Sequence, residues 1–168
     1  MAQIKQKISP CLWFDRQAEE AARFYISVFK HGQIVDIARY PKGAHDPRRE
    51  GEVMTVTFEL EGCSFIALNG GPEFKFTEAI SLSVRCDGQA EVDRLWDGLL
   101  QGGGKPVQCG WLKDRYGLSW QIVPEALYRL MQDPDPVKRE RVMKAMLQMV
   151  KIDIVALERA YGVEPAHR

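Results

Sequence analysis

The chain has 168 residues, 45% of them apolar and 27% charged, an ordinary globular composition at the length of one domain. Its 23 Lys and Arg balance its 23 Asp and Glu, and a zero formal charge argues against broad electrostatic binding to nucleic acid or an anionic membrane. No apolar run approaches the roughly 20 residues of a spanning helix. Met1–Lys7 leads into a short strand pattern rather than a signal-peptide core, so a cytoplasmic protein without membrane contact is expected.

A strand pattern ends at Phe14, and Asp15 is placed to be the N-cap of a helix. Ala18, Ala21, Ala22, Tyr25, Val28 and Phe29 form an apolar stripe at helical spacing, and Gly32 stops the helix. Strands follow over Gln33–Tyr40, Glu52–Leu60 and Cys63–Asn69, with Glu61-Gly62 as a tight link and the charged, turn-rich Pro41–Gly51 as a loop. The pattern then restarts. A strand over Ile80–Cys86 leads to Asp87 as the second N-cap, and Val92, Leu95, Trp96 and Leu99 form the next stripe. Gly102-Gly103-Gly104 end this helix rather than opening one, so the dipole has the wrong sign for a phosphate cradle. Strands near Lys105–Cys109, Trp111–Lys113 and Leu118–Val123 surround a turn at Asp114–Gly117. From Glu125 the chain reads as helical, broken at Asp133-Pro134-Asp135-Pro136, with Pro136 at the start of a new helix. Val142, Met143, Met146, Leu147 and Val150 mark one apolar face, expected to cover its own domain or a sister subunit.

These two halves are copies. Ile8-Ser9, Asp15, Gln17, Ala18, Glu19 and Gly32 recur 72 positions later as Ile80-Ser81, Asp87, Gln89, Ala90, Glu91 and Gly104, with Phe24 facing Trp96 and Val28 facing Leu100. The closing strands echo at an offset of 55, Gly62 with Gly117, Ser64 with Ser119 and Phe65 with Trp120. The expected architecture is α+β: tandem βαβββ modules, about 4–75 and 76–124, forming a curved mixed sheet around a cavity, followed by a helical extension over 125–168.

Cys11, Cys63, Cys86 and Cys109 are too dispersed for a CxxC motif and are expected as small buried hydrophobes. His31, His45 and His167 fall outside the predicted strands, which leaves little for a His-centred metal site.

Two βαβββ modules with Phe24-Tyr25 in the first helix resemble the vicinal oxygen chelate superfamily of glyoxalases, bleomycin-resistance proteins and extradiol dioxygenases. Within it, the stretch from Asp87 to Trp96 and the longer motif from Cys109 to Pro124 resemble the PhnB-like group, described as 3-demethylubiquinone-9 3-methyltransferase. In metal-dependent members the resemblance implies four ligands from the first and last strands of each module. Counting from Asp15, Asp87, Gly62 and Gly117 places Ser9, Ser81, Ile66 and Gln121 at those positions. A neutral Ser/Ile/Ser/Gln set is poor for a divalent ion, which wants carboxylate, imidazole or thiolate, so neither metal nor cofactor is expected.

Strand alternation then predicts what lines the cavity. Ser81, Ser83 and Arg85 face inward while Ile80, Leu82 and Val84 face the helices. Ser119 and Gln121 lie inside while Leu118, Trp120 and Ile122 pack outward. Ser9, Cys11 and Trp13, with Ser64, Ile66 and Leu68, are the matching positions in the first module. The candidate pocket is therefore Ser9, Cys11, Trp13, Ile66, Ser81, Ser83, Arg85, Ser119 and Gln121, suited to a neutral, partly aromatic ligand, with Trp13, Trp111 and Trp120 as possible stacking partners. A Rossmann-like methyltransferase needs a glycine-rich turn after its first strand; nothing after Phe14 is glycine-rich and the chain is short for that architecture, so S-adenosylmethionine chemistry is not expected from the residues. The first expectation is a metal-independent, homodimeric small-molecule-binding protein. The alternatives are an enzyme on a small aromatic or quinone-like substrate, methyl transfer included, and an interaction module whose tail recruits a partner.

Overall fold

A computed structural model of the chain describes residues 6–43 and 47–162; His45 and His167 lie outside them. Two compact units divide after Phe76. The first begins with β1 (Cys11–Phe14), where Leu12 and Phe14 are buried, and α1 (Ala18–Val28). The stripe read from the sequence is the buried one: Ala18, Ala21, Ala22, Tyr25 and Val28 all face the core. Three antiparallel-linked strands follow, β2 (Gly32–Arg39), β3 (Val53–Leu60) and β4 (Cys63–Asn69). Their sheet order is β1-β4-β3-β2, with β1 parallel to β4. Glu61 and Gly62 both take positive φ, 47° and 81°, the conformation a two-residue hairpin link demands.

The second unit repeats the plan. It runs β5 (Ser81–Cys86), α2 (Gln89–Leu100), β6 (Lys105–Pro106), β7 (Trp111–Lys113) and β8 (Ser119–Pro124), ordered β5-β8-β7-β6 with β5 parallel to β8. Cys11 pairs with Ile66 in one sheet and Ser83 with Gln121 in the other. Those are the positions the two sequence offsets equate, so duplication extends to register. Val92, Leu95, Trp96 and Leu99 are buried together with Leu112, Leu118, Trp120 and Ile122, each contributing roughly 1.5–3 kcal/mol of apolar burial.

Neither aspartate is the N-cap expected of it. The caps of α1 and α2 are Gln17 and Gly88, without side-chain capping bonds, because both helices start later than the strand ends suggest. In the first unit the work passes to a distant residue: Ala18 N–H donates to Asn69 Oδ1 at 2.8 Å. Asn69 Nδ2 donates to Val53 O, and Tyr40 Oη and Arg49 Nη2 donate to Asn69 O. One buried amide thus ties the end of β4 to the start of α1 and to β3.

The strand predicted over Lys105–Cys109 stops at Pro106. Cys109 and Gly110 are both left-handed, with φ of 59° and 80°, and their N–H groups donate to Met149 O and Val150 O instead of continuing the ladder. A Cβ at Gly110 would meet Ile122 O and Ile152 Cγ1 at 2.9 Å, so only glycine fits.

The tail forms α3 (Glu125–Met131), α4 (Pro136–Met146) and α5 (Ile154–Gly162), with Asp135 Oδ1 accepting from Val137 N–H at the Pro136 start. Leu127, Leu130, Val142, Ile152 and Leu157 form its buried cluster. Of the predicted apolar face only Val142 is buried; Met143, Leu147 and Val150 are exposed, because the short α4 ends at Met146 and the chain turns away. Gln89 fastens the tail to α2: its Nε2 donates to Ile152 O and its Oε1 accepts from Ile154 N–H. Lys151 adds an ion pair to Asp93 at 2.7 Å. No helix among the described residues is long and apolar enough to cross a membrane.

Candidate functional site

Alternation along β8 separates its side chains as expected. Trp120 and Ile122 are buried at 2% and 0%, while Gln121 and Val123 on the other face are half-buried. Ser81 pairs with Ser119 and Ser83 with Gln121, so these four share one face, with Arg85 beyond them opposite Val123. Gln121 Nε2 donates to Ser81 Oγ at 2.8 Å. Ser119 is buried, yet its hydroxyl has no hydrogen-bond partner. Arg85 is drawn off this group, ion-paired to Glu125 at 3.0 Å and lying over the Tyr128 ring at 4.3 Å.

On the hydrophobic side the reading of β5 needs correcting. Ile80 is 60% exposed just ahead of the strand, and Leu82 and Val84 are only half-buried, because α2 covers β8 more fully than β5.

In the first unit Cys11, Trp13 and Ile66 share a face by register. Ser9 lies ahead of β1 and accepts from Gln6 Nε2 at 3.3 Å. Trp13 is committed locally: its indole donates to Gly71 O at 2.8 Å, its edge meets Phe74, and its ring lies where a Cβ on Gly70 would be. Trp120 is likewise unavailable, buried with its indole on Asp114 Oδ2 at 2.9 Å. The expectation that the cysteines are buried holds for Cys86 alone among the fully buried; Cys11 and Cys63 are exposed and Cys109 is intermediate. Burial pushes the Cys86 thiol up to about 12.

Lys113, outside the predicted set, and Trp111, read from the sequence as a stacking partner, join the β5–β8 face. Lys113 stands opposite Ser119 and Trp111 opposite Gln121 in the β7–β8 ladder. Lys113 Nζ is ion-paired to Glu78, and that hydrogen bond holds the Glu78 carboxyl below its ordinary range. The signal was present in the sequence: once Trp111–Lys113 and Leu118–Val123 are read as a hairpin around Asp114–Gly117, register puts Lys113 beside Ser119.

Surface depressions lie elsewhere. One of about 430 Å³ is lined by Arg129, Leu130, Asp133, Glu158 and Tyr161, and one of about 340 Å³ by Lys30, His31, Gln33 and Glu59. Among the described residues no three His, Cys, Asp or Glu side chains converge as metal ligands. The donors at the four family positions (Ser9, Ile66, Ser81 and Gln121) offer two hydroxyls and one amide, which does not fit a divalent cation.

The family described as 3-demethylubiquinone-9 3-methyltransferase matches residues 6–123. Among solved structures, the PhnB protein from Bacillus cereus is 37% identical with a TM-score of 0.63, covering 71% of this chain and 99% of its own. A protein from Pseudomonas aeruginosa is 21% identical with a TM-score of 0.57, covering 72% of this chain and 98% of its own, a likeness of fold. No curated protein matches the chain. The duplicated βαβββ plan, the family match across both modules and the identity to the Bacillus protein agree: this chain belongs to the PhnB-like family described as 3-demethylubiquinone-9 3-methyltransferase.

Proposed function

We propose that the protein binds a small, neutral or aromatic molecule without a metal ion, as a cytoplasmic homodimer. The observation that carries this reading is the polar group on one sheet face: Gln121 bonded to Ser81, beside the unpartnered hydroxyl of buried Ser119. Purely structural strands seldom assemble an amide and two hydroxyls on a half-buried face with hydrogen-bonding capacity left over. Here Ser81 retains its own O–H to donate and Gln121 its carbonyl oxygen to accept, so a ligand carbonyl or hydroxyl finds both partners. The donor set at the four family positions supports the metal-free part.

The family description favours a second reading, an enzyme acting by methyl transfer. The residues do not fit the cradle that an S-adenosylmethionine cofactor uses on parallel sheets. The link from β1 to α1 is Asp15-Arg16-Gln17, without glycine, and that from β5 to α2 has only Gly88.

The test is native mass spectrometry of the purified, untagged chain against its denatured mass. A dimer carrying a small molecule that is lost on denaturation supports the proposal. A stoichiometric divalent ion on each subunit overturns it.

A further inference from the structure

The β7–β8 hairpin carries an arrangement that binding of a neutral ligand leaves unused. Trp111 and Lys113 lie two residues apart on β7, hence on one face and about 7 Å apart along the strand. Across from them, at cross-strand distance, stand Gln121 and Ser119. The face therefore presents an aromatic ring beside an amide and, two residues along β7, an ammonium beside a hydroxyl, so an apolar ring surface and a cationic end adjoin. Ser119 is 1% exposed and its hydroxyl is without a partner, a condition buried hydroxyls rarely keep.

Glu78 now occupies the ammonium. Its side chain is 60% exposed against 33% for Lys113, so the carboxylate reaches in from solvent while the lysine stem is largely covered. Exposed ion pairs of this kind contribute little and exchange readily. An incoming carboxylate replaces that of Glu78 one for one, leaving the charge of the site unchanged while Glu78 returns to water.

We propose that Glu78 stands in for the carboxylate of a small aromatic acid, which binds with its carboxylate on Lys113 Nζ and Ser119 Oγ and its ring along Trp111. In that complex the lysine shifts with the exchange and opens Ser119 to the ligand. This rests on the ligand-binding reading above and narrows it: the body of the ligand is neutral and aromatic, and its one charge sits at the Lys113 end.

The experiment is a pair of ¹H–¹⁵N NMR titrations of the full chain, with benzoate and with its uncharged analogue benzamide, at neutral pH and low salt. Benzoate is expected to shift the Trp111 indole and the amides of β7 and β8 with an affinity roughly tenfold above that of benzamide, as a charge-assisted contact implies. Lys113→Met is expected to erase that advantage. Glu78→Gln, a change at an exposed side chain, is expected to raise benzoate affinity about threefold and leave benzamide unchanged. Equal affinities for the two probes, or benzoate affinity unaltered in both variants, overturn the aromatic-acid proposal while leaving a neutral ligand at this face standing. If neither probe moves any amide of β5, β7 or β8, the ligand-binding reading of the face falls with it.

Discussion

Gln121 Nε2 and Ser81 Oγ, 2.8 Å apart, link the two parallel strands of the second sheet through their side chains. They occupy two positions at which metal-dependent relatives by resemblance place ligands. Here the two side chains bond to each other, and the hydrogen-bonding capacity they keep is what the proposed ligand would use.

Replacing Gln121 by Ala is therefore expected to separate binding from folding. The loss is one half-buried hydrogen bond, about 0.5–1.5 kcal/mol of stability by denaturant unfolding. Any co-purifying small molecule is expected to be lost or at least tenfold depleted in the native mass spectrum. Full retention of that molecule would remove Gln121 from the site.

Asp114 is a sharper determinant of stability. Buried at 3% exposure, it accepts from Tyr116 N–H, Leu118 N–H and Trp120 Nε1 at 2.8, 3.1 and 2.9 Å. Asp114→Ala leaves three donors, one deep in the core, without this acceptor, and a loss of about 3 kcal/mol or more is expected. Urea unfolding followed by tryptophan fluorescence reads it directly; a loss below about 1 kcal/mol would show the turn holds itself.

The tail is expected to be an integral part of the second unit. Gln89→Ala removes both bonds to the 152–154 backbone and is expected to cost about 1–2 kcal/mol, with faster amide exchange at Ile154 as the local sign. The neighbouring Lys151–Asp93 pair adds a pH dependence. Hydrogen bonding from Lys151 lowers the Asp93 pKa, and the reciprocal bond raises that of Lys151. A lowered carboxylate contributes stability above its unfolded pKa and loses it as pH falls through the folded one; a raised ammonium loses its contribution as pH rises through its folded pKa. The tether is thus complete from above the carboxylate range to below the lysine range. Asp93→Asn is expected to flatten the acid side of the stability profile by no more than about 0.5 kcal/mol, since both groups are exposed.

The cysteines are expected to report burial in order. With a disulfide exchange reagent at pH 8, exposed Cys63 reacts first. Cys11 follows, its thiol pKa raised by partial burial of the sulfur. Cys86, raised to about 12, reacts only on unfolding. Labelling of Cys86 at the rate of Cys63 in the native state would contradict the packing of β5 against α2.

Local chemistry determined much of this molecule. The stripes of α1 and α2, the Glu61-Gly62 hairpin, the Asp114–Gly117 turn and the Pro136 start are all set by side-chain period or by residues with few conformations, and they stand where the sequence puts them. The duplication is also legible, because each copy must repeat its strand alternation to bury one face. Three things were decided only by tertiary structure. The starts of α1 and α5 depend on Asn69 and Gln89, partners 51 residues or more away in the chain. The end of β6 depends on the tail backbone claiming the Cys109 and Gly110 N–H groups. The charge state of the site depends on Glu78, which lies outside the β7–β8 hairpin and takes the Lys113 ammonium that hairpin register alone sets against Ser119. Sequence period says which face a residue takes; which distant group meets it there is settled by packing.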